Sequence, residues 1–287
     1  MKIVVLVLAS DEVCRCGRCT RAGRESSYTE MVSAVRNTWA AEAEKIGDIK
    51  VYYIYGHRKG VDFPPDSKHR DVDETWWPDG GPQHGFSPQI VTNKRRPFAI
   101  DDCIYSDTPE TRQNIYYKTI DGFEWLLENE DFDYILRSNC GTYMDLYLLR
   151  EYVEKLGKRD DVYAGRPGIY NNAHNPTQPD AIKFVSGSAL LASRKLIENL
   201  VQNRASVDHV RSKYVDRTVV DDITFAKHFV YDCGAQIIPW EKADVTSVSQ
   251  ISSRLKNKMQ CYFCHTIDTE LMYGVHEAKG LSTKRVE

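Results

Sequence analysis

The chain opens on an almost unbroken apolar run, Lys2 to Ala9, of the length of one β-strand. A strand apolar at consecutive positions, rather than at alternating ones, is expected where both faces of a sheet are covered. Ser10 to Ser26 is polar, carries Arg15, Arg18, Arg21 and Arg24, and has no periodic apolar set, so it reads as a loop. From Ser27 the positions Met31, Val32, Val35, Trp39 and Ala43 recur at helical spacing, with a serine as N-cap and Gly47 closing one helix. Lys50 to Tyr55 is a second strand, and the strand-helix-strand succession predicts a parallel pair joined by a right-handed crossover.

His57 to Pro97 shows little periodicity and concentrates proline and glycine in WWPDGGPQHGFSP, which predicts one long loop. Phe98 to Tyr105 reads as a strand. Pro109 stands near the first turn of a helix marked by Ile115, Thr119, Phe123, Leu126 and Leu127, ending near Asn129. Tyr134 to Arg137 is the next strand, broken by Asn139, Cys140 and Gly141, and Leu146, Leu149, Tyr152, Val153 and Leu156 define a helix closed by Gly157. Asp161 to Arg166 and Lys183 to Ala192 read as strands on either side of a loop rich in Asn and Pro. Helices follow from Ser193 to Asn203 and from Val220 to Tyr231, then a late strand at Gln236 to Pro239, and a polar, weakly structured tail from Lys242. These elements predict a single α/β domain over 1–287, with a mixed, mainly parallel central sheet flanked by helices. A nucleotide half would occupy about 1–145, an acceptor half about 146–240, and a polar C-terminal tail 241–287.

Composition narrows the function. A formal net charge of −3, from 38 basic and 41 acidic residues, gives no overall attraction to nucleic acid or anionic lipid. Any anionic ligand must therefore meet a local site. The 17 tyrosines and five tryptophans suit carbohydrate faces as well as cores. The opening apolar run is short for a signal peptide and lacks a convincing cleavage site, and no segment approaches the roughly 20 apolar residues of a membrane span. The expectation is a soluble, cytoplasmic protein with reduced thiols. Among the eight cysteines, CRCGRC near the start and CYFCH near the end contain ligands for a zinc site, against the alternative of two unrelated loops.

The stretch Asp131 to Leu149 is the candidate centre of chemistry, because backbone at the carboxyl end of a parallel strand is open to a ligand. Trp76 and Trp77 have the character of a sugar-stacking pair or, equally, of anchors for their loop. Ser186-Gly187 interrupts a strand where small side chains admit a ligand. Asp221-Asp222 opens a helix, where a carboxylate stays ionised or merely complements the dipole.

Five segments in order, VRNTW (Val35 to Trp39), YSDTPETRQNIYYKTIDGFEWL (Tyr105 to Leu126), DYILRSNCGTY (Asp133 to Tyr143), FVSGSALLAS (Phe184 to Ser193) and VDDITF (Val220 to Phe225), resemble the β1,3-galactosyltransferase and Fringe-like glycosyltransferases, which have the GT-A fold. The variant Arg137-Ser138-Asn139 is similar to divergent glycosyltransferases of large viruses and some bacteria, including viral ones that handle pentoses such as xylose. The resemblance implies an inverting transferase moving xylose, galactose or N-acetylglucosamine from a UDP-sugar to a hydroxyl of an oligosaccharide or glycoprotein glycan, in the host cytoplasm if the chain is viral. It places Asp221 or Asp222 as the base. Ala9, Ser10, Arg36, Lys118, Arg137, Ser138, Asn139, Cys140 and Gly141 are expected on the donor side, with His228 a further cation for the diphosphate. Trp76, Trp77, Ser186 and Gly187 are expected on the acceptor side.

The family holds Mn²⁺ or Mg²⁺ on a carboxylate triplet where this chain has Asn139-Cys140-Gly141, which supplies no anionic oxygen. Either Asp145 or another carboxylate contributes, with His265 a further ligand, or the metal is weak or absent. Two other readings stand: a catalytically inactive carbohydrate-binding protein on a transferase scaffold, and a zinc-dependent nucleic-acid module, which the net charge disfavours.

Overall fold

The computed structural model describes residues 1–11, 13–14, 26–57, 60–77, 85–170, 182–204, 221–240, 243–245, 249, 263–266 and 269–280, with only the backbone at 13, 14, 26, 243–245 and 263–266. In chain order its strands are β1 (Ile3–Leu8), β2 (Val13–Cys14), β3 (Ser26–Ser27), β4 (Ile49–His57), β5 (His69–Trp76), β6 (Gln89–Arg95), β7 (Phe98–Ile100), β8 (Cys103–Pro109), β9 (Tyr134–Asn139), β10 (Thr142–Met144), β11 (Val162–Tyr170), β12 (Ile182–Ser193), β13 (Gln236–Pro239), β14 (Ala243–Val245) and β15 (Phe263–Thr266). The α-helices are α1 (Tyr28–Asn37), α2 (Glu42–Ile46), α3 (Ile115–Asn129), α4 (Leu146–Leu156), α5 (Arg194–Gln202), α6 (Asp221–Ala226) and α7 (Thr269–Ala278), with a π-helical turn at Lys227–Asp232.

Eight strands form the central sheet in the order β13-β11-β12-β9-β1-β4-β8-β7. Its middle, β9-β1-β4-β8, is parallel, and β12 runs antiparallel to β9. This is the mixed α/β sheet the sequence predicts. The apolar opening run is explained by its place: Ile3, Val5 and Val7 of β1 face one core, and Val4, Leu6 and Leu8 face the other. Each such side chain contributes ~1.5–3 kcal/mol through burial. The first core is closed by α1, α2, α4 and α7, and the second by α3, α5, α6 and the π-helical turn. Gly122 lets α3 approach β1 closely, since a Cβ there would meet Leu6 Cδ2 at 2.8 Å.

Four segments depart from the sequence expectations. The single helix from Ser27 to Gly47 breaks at Thr38, whose hydroxyl donates to the Ala34 carbonyl at 2.6 Å; a 3₁₀ turn, Trp39–Ala41, and α2 follow. Phe98 to Tyr105 is a hairpin: β7 and β8 pair across Asp101-Asp102, and Asp101 has φ 53°, a left-handed conformation aspartate tolerates. The expected loop 57–97 contains the antiparallel hairpin β5-β6. The tail beyond 241 contributes α7, which buries Leu271, Met272 and Val275.

The charged residues of the β5-β6 hairpin carry no apolar periodicity, and the proline and glycine between its strands read as loop. In the fold these charges form a buried cluster, with Lys94 Nζ 3.0 Å from Glu74 and 2.6 Å from Asp121. Arg70 pairs with Asp121 and Glu124, and Arg204 pairs with Glu74, so three cations oppose three carboxylates. Burial nevertheless pushes the Lys94 ammonium down to about 8. The cluster fastens β5-β6 to α3 and β8, which carry the residues below.

Candidate active site

Parallel strands leave their carboxyl ends along one edge, and the register states which residues arrive there. Leu8 lies opposite Asn139 of β9 and opposite Ile54 of β4, so β1 and β9 end together while β4 runs three residues further, to His57. Because β12 is antiparallel to β9, with Ala189 opposite Ser138, its Ser186-Gly187-Ser188 segment enters at the same edge. The loop after β9 and the small-residue break in β12 are thus neighbours, though they are about fifty residues apart in sequence. Ser138 Oγ donates to the Ser188 carbonyl at 3.3 Å.

Arg137 lies beneath this edge at 2% exposure. One Nη donates to the Gly187 carbonyl and the other pairs with Asp221. A single guanidinium therefore joins β9, β12 and α6. Gly187 is required by this packing, since a Cβ would lie 2.4 Å from Arg137 Nη1. The Gly187 N–H in turn donates to Asp222 Oδ2 at 3.0 Å.

Asp222 is only 6% exposed, and its Oδ1 has no hydrogen-bond partner among the described residues. Burial, reinforced by the neighbouring charge of Asp221, pushes its carboxyl up to about 6, against the opposing pull of the Gly187 N–H and Arg137. The two adjacent carboxylates thus differ in kind: Asp221 is bound to a cation, while Asp222 has a free oxygen and a pKa near neutrality. That separation is how a fold equips a carboxylate to take up a proton.

On the β1 side, Ala9 is buried, its N–H donates to Ile54 at 3.0 Å, and its carbonyl accepts from Lys118 Nζ at 2.9 Å. Ser10 follows it and is half-buried. Lys118 also meets Glu110 Oε1 at 2.5 Å, and Glu110 Oε2 accepts the Gly56 N–H at 2.6 Å. Glu110 was not singled out in the sequence. Its position matters only through register, which brings the ends of β4 and β8 to α3. Tyr116 of α3 touches Phe225 of α6, with ring centroids 5.4 Å apart, so the two halves of the edge are packed together.

Other expected site residues lie elsewhere or are engaged. Arg36, in the last turn of α1, pairs with Asp102 in the β7-β8 turn, one Nη donating to Asp102 Oδ1 at 2.7 Å, and stacks 4.0 Å over Tyr53. Arg137 is committed to Asp221 and Gly187. His228 faces Asp232 at 3.3 Å and Cys233 at 3.5 Å on the π-helical turn. Trp77 is buried, and Asn114 holds its N–H at 3.0 Å and its carbonyl at 2.8 Å. Trp76 donates to Glu74 at 2.6 Å, with Lys94 5.3 Å from its ring. Both tryptophans anchor the hairpin. Asn139 is half-buried, and Cys140 and Gly141 are buried.

A divalent cation needs several oxygen ligands converging on one point. Asp145 instead caps α4, accepting from Leu148 N at 3.0 Å, and its other oxygen pairs with Lys279. Asp221 is taken by Arg137. Among the described residues no group of three His, Cys, Asp or Glu side chains is arranged to hold a metal ion, so these residues do not fit the metal that the family resemblance implies. The side chain of His265 lies outside the described residues, as do those of the two cysteine clusters; the backbone of His265 stands opposite Thr142 in the β10-β15 ladder.

No family model and no curated protein matches the chain. Solved structures similar in fold include a glycosyltransferase involved in glycosylation of the major capsid of PBCV-1, at 8% identity over 98% of this chain and 100% of that one, with a TM-score of 0.43. Another is the galactosyltransferase LgtC in complex with donor and acceptor sugar analogues, at 12% identity over 98% and 97%, with a TM-score of 0.46. The glycosyltransferase GlyE of Streptococcus pneumoniae TIGR4 follows at 10% identity, over 96% of this chain and 60% of that one, with a TM-score of 0.40. At TM-scores below 0.5 these likenesses carry no weight for residues or activity. None of the described helices is long and apolar enough to cross a membrane.

Proposed function

We propose that the chain is a group-transfer enzyme working through one carboxylate base, and more particularly an inverting glycosyltransferase. It would move a sugar, with xylose, galactose and N-acetylglucosamine as the candidates, from a UDP-sugar to a hydroxyl of a glycan acceptor. The observation that carries this reading is Asp222: buried, held at Oδ2 by the Gly187 N–H, with no hydrogen-bond partner for Oδ1 among the described residues, and with its carboxyl pushed up to about 6. In the proposed step Asp222 Oδ1 takes the acceptor hydroxyl's proton while that oxygen bonds to the anomeric carbon. The bond to the phosphate oxygen breaks, and the nucleoside diphosphate leaves with the electron pair. General-base help of this kind contributes ~10²–10⁴ in rate.

The other groups position this base. Arg137 fixes Asp221, and through Gly187 it fixes the N–H that orients Asp222. Lys118 holds the Ala9 carbonyl, and with it the strand end against which the nucleotide would lie.

The test is a thermal-shift panel with UDP, UDP-xylose, UDP-galactose, UDP-N-acetylglucosamine and GDP-sugars, each with Mn²⁺ or EDTA, followed by product assay on glycan acceptors. Stabilisation by one UDP-sugar, with release of UDP when acceptor is added, is the expected result. Binding of glycans without any nucleotide effect would replace the enzyme with a carbohydrate-binding protein.

A further inference from the structure

The first helical turns after Asp222 carry a second cluster that the proposed transfer does not use. Lys227–Asp232 is π-helical, a geometry that recurs at functional sites because it places side chains off the regular helical face. It brings His228, Asp232 and Cys233 together: His228 Nδ1 is 3.3 Å from Asp232 Oδ2, and Cys233 Sγ is 3.5 Å from His228 Nε2. A carboxylate only accepts, so Nδ1 carries the ring proton and Nε2 faces the thiol. Asn199 of α5 completes the group, its side chain hydrogen-bonding to the sulfur and its backbone to the imidazole, in the senses that favour thiolate and imidazolium respectively.

We propose that Cys233 is a thiol modification site, activated by His228 and Asp232, for exchange with small disulfides of the glutathione type. Cys233 is half-buried between exposed Asp232 and exposed Gly234. At rest both partners are neutral, because burial raises the thiol and lowers the imidazole. Nε2 takes the thiol proton as the sulfur attacks one sulfur of the disulfide. The new S–S bond forms, the old one breaks, and the departing thiolate recovers the proton from the imidazolium. The incoming disulfide is the oxidant, so the exchange balances. The imidazolium formed in between is held by Asp232 and by the Asn199 carbonyl.

The same pair should accelerate alkylation, where S–C forms, C–I breaks and iodide leaves. The full chain is treated with iodoacetamide, and in parallel with oxidised glutathione, and each cysteine is followed by peptide mass spectrometry. Cys233 is expected to react ~10-fold faster than Cys103 and Cys140, and to lose ~10-fold in His228→Gln, in line with loss of a general base. Asp232→Asn, at an exposed position, should slow Cys233 several-fold while the rate at Cys103 stays unchanged. Labelling of Cys233 no faster than Cys103, or a Cys233 rate unchanged in Asp232→Asn, would overturn the proposal. Alkylation without glutathione exchange would overturn its ligand class.

Discussion

Replacing Asp222 by Asn tests the site through stability and rate at once. In the native state the carboxyl is pushed up from 3.8 to about 6. A shift of about 2 units corresponds to about 3 kcal/mol, reduced if native groups relax. The sign follows from proton counting. Between pH 4 and pH 6 the native state holds a proton that the unfolded chain has released, so wild-type stability falls as pH rises through this window and stays lower above it. Asn has no such dependence. Its amide adds a buried donor where Oδ1 stood, at a cost of ~1–3 kcal/mol, but that cost is the same at every pH.

The difference in stability between Asp222→Asn and wild type should therefore move in favour of the variant by up to about 3 kcal/mol from pH 4 to pH 8. At about 2 °C per kcal/mol for a chain of this size, that is roughly 6 °C in Tm. Urea unfolding followed by circular dichroism at one-unit pH steps gives the curve, and a UDP-release assay gives the rate, expected to fall at least ~10²-fold. Asp221→Asn should behave oppositely in stability, because it strands the buried Arg137 and costs ~3–5 kcal/mol at neutral pH. Parallel pH curves for wild type and Asp222→Asn, or a rate loss below tenfold, would refute the assignment of Asp222 as the raised carboxyl and the base.

Gly187→Ala should lose ~1–3 kcal/mol in urea unfolding, because the Arg137 guanidinium that its Cβ would meet is fixed on both sides; wild-type stability would mean that Arg137 can yield. Lys94→Met should lose ~3–5 kcal/mol at pH 7, because it removes the fully buried one of the three cations that balance Glu74, Asp121 and Glu124 and leaves Arg70 and Arg204 to face all three carboxylates. Since the native ammonium titrates near 8, below its unfolded value of 10.5, the unfolded chain binds more protons from pH 8 to 10, and wild type should gain stability over that range where the variant does not. A constant difference across those pH values would show that Lys94 is not desolvated as its burial indicates.

What could be read in the sequence was whatever repeats locally. The run of β1, the helical spacing of Ile115 to Leu127 and the acidic pair that opens α6 are visible because each face of an element samples a single environment. The charged hairpin was not readable: His69 to Trp76 and Gln89 to Arg95 look solvated until Arg204 and Asp121 are brought against them. Glu110 and Lys118 drew different attention for the same reason, since only register shows that they share a proton-bearing contact at one edge. The tryptophan pair was ambiguous from the start, and Asn114, far away in sequence, made it an anchor.

By itself, then, the sequence determined the order of the main strands and helices of the central sheet, the apolar faces that make an α/β sheet, and the presence of carboxylates, a glycine and an arginine in the right segments. It left Asp221 and Asp222 equivalent, because two neighbours in a chain have the same composition around them. Tertiary structure alone separated them: the antiparallel entry of β12 beside β9 put Arg137 on Asp221 and the Gly187 N–H on Asp222. A pKa follows from desolvation and from distances to charges, and those exist only once the chain is folded.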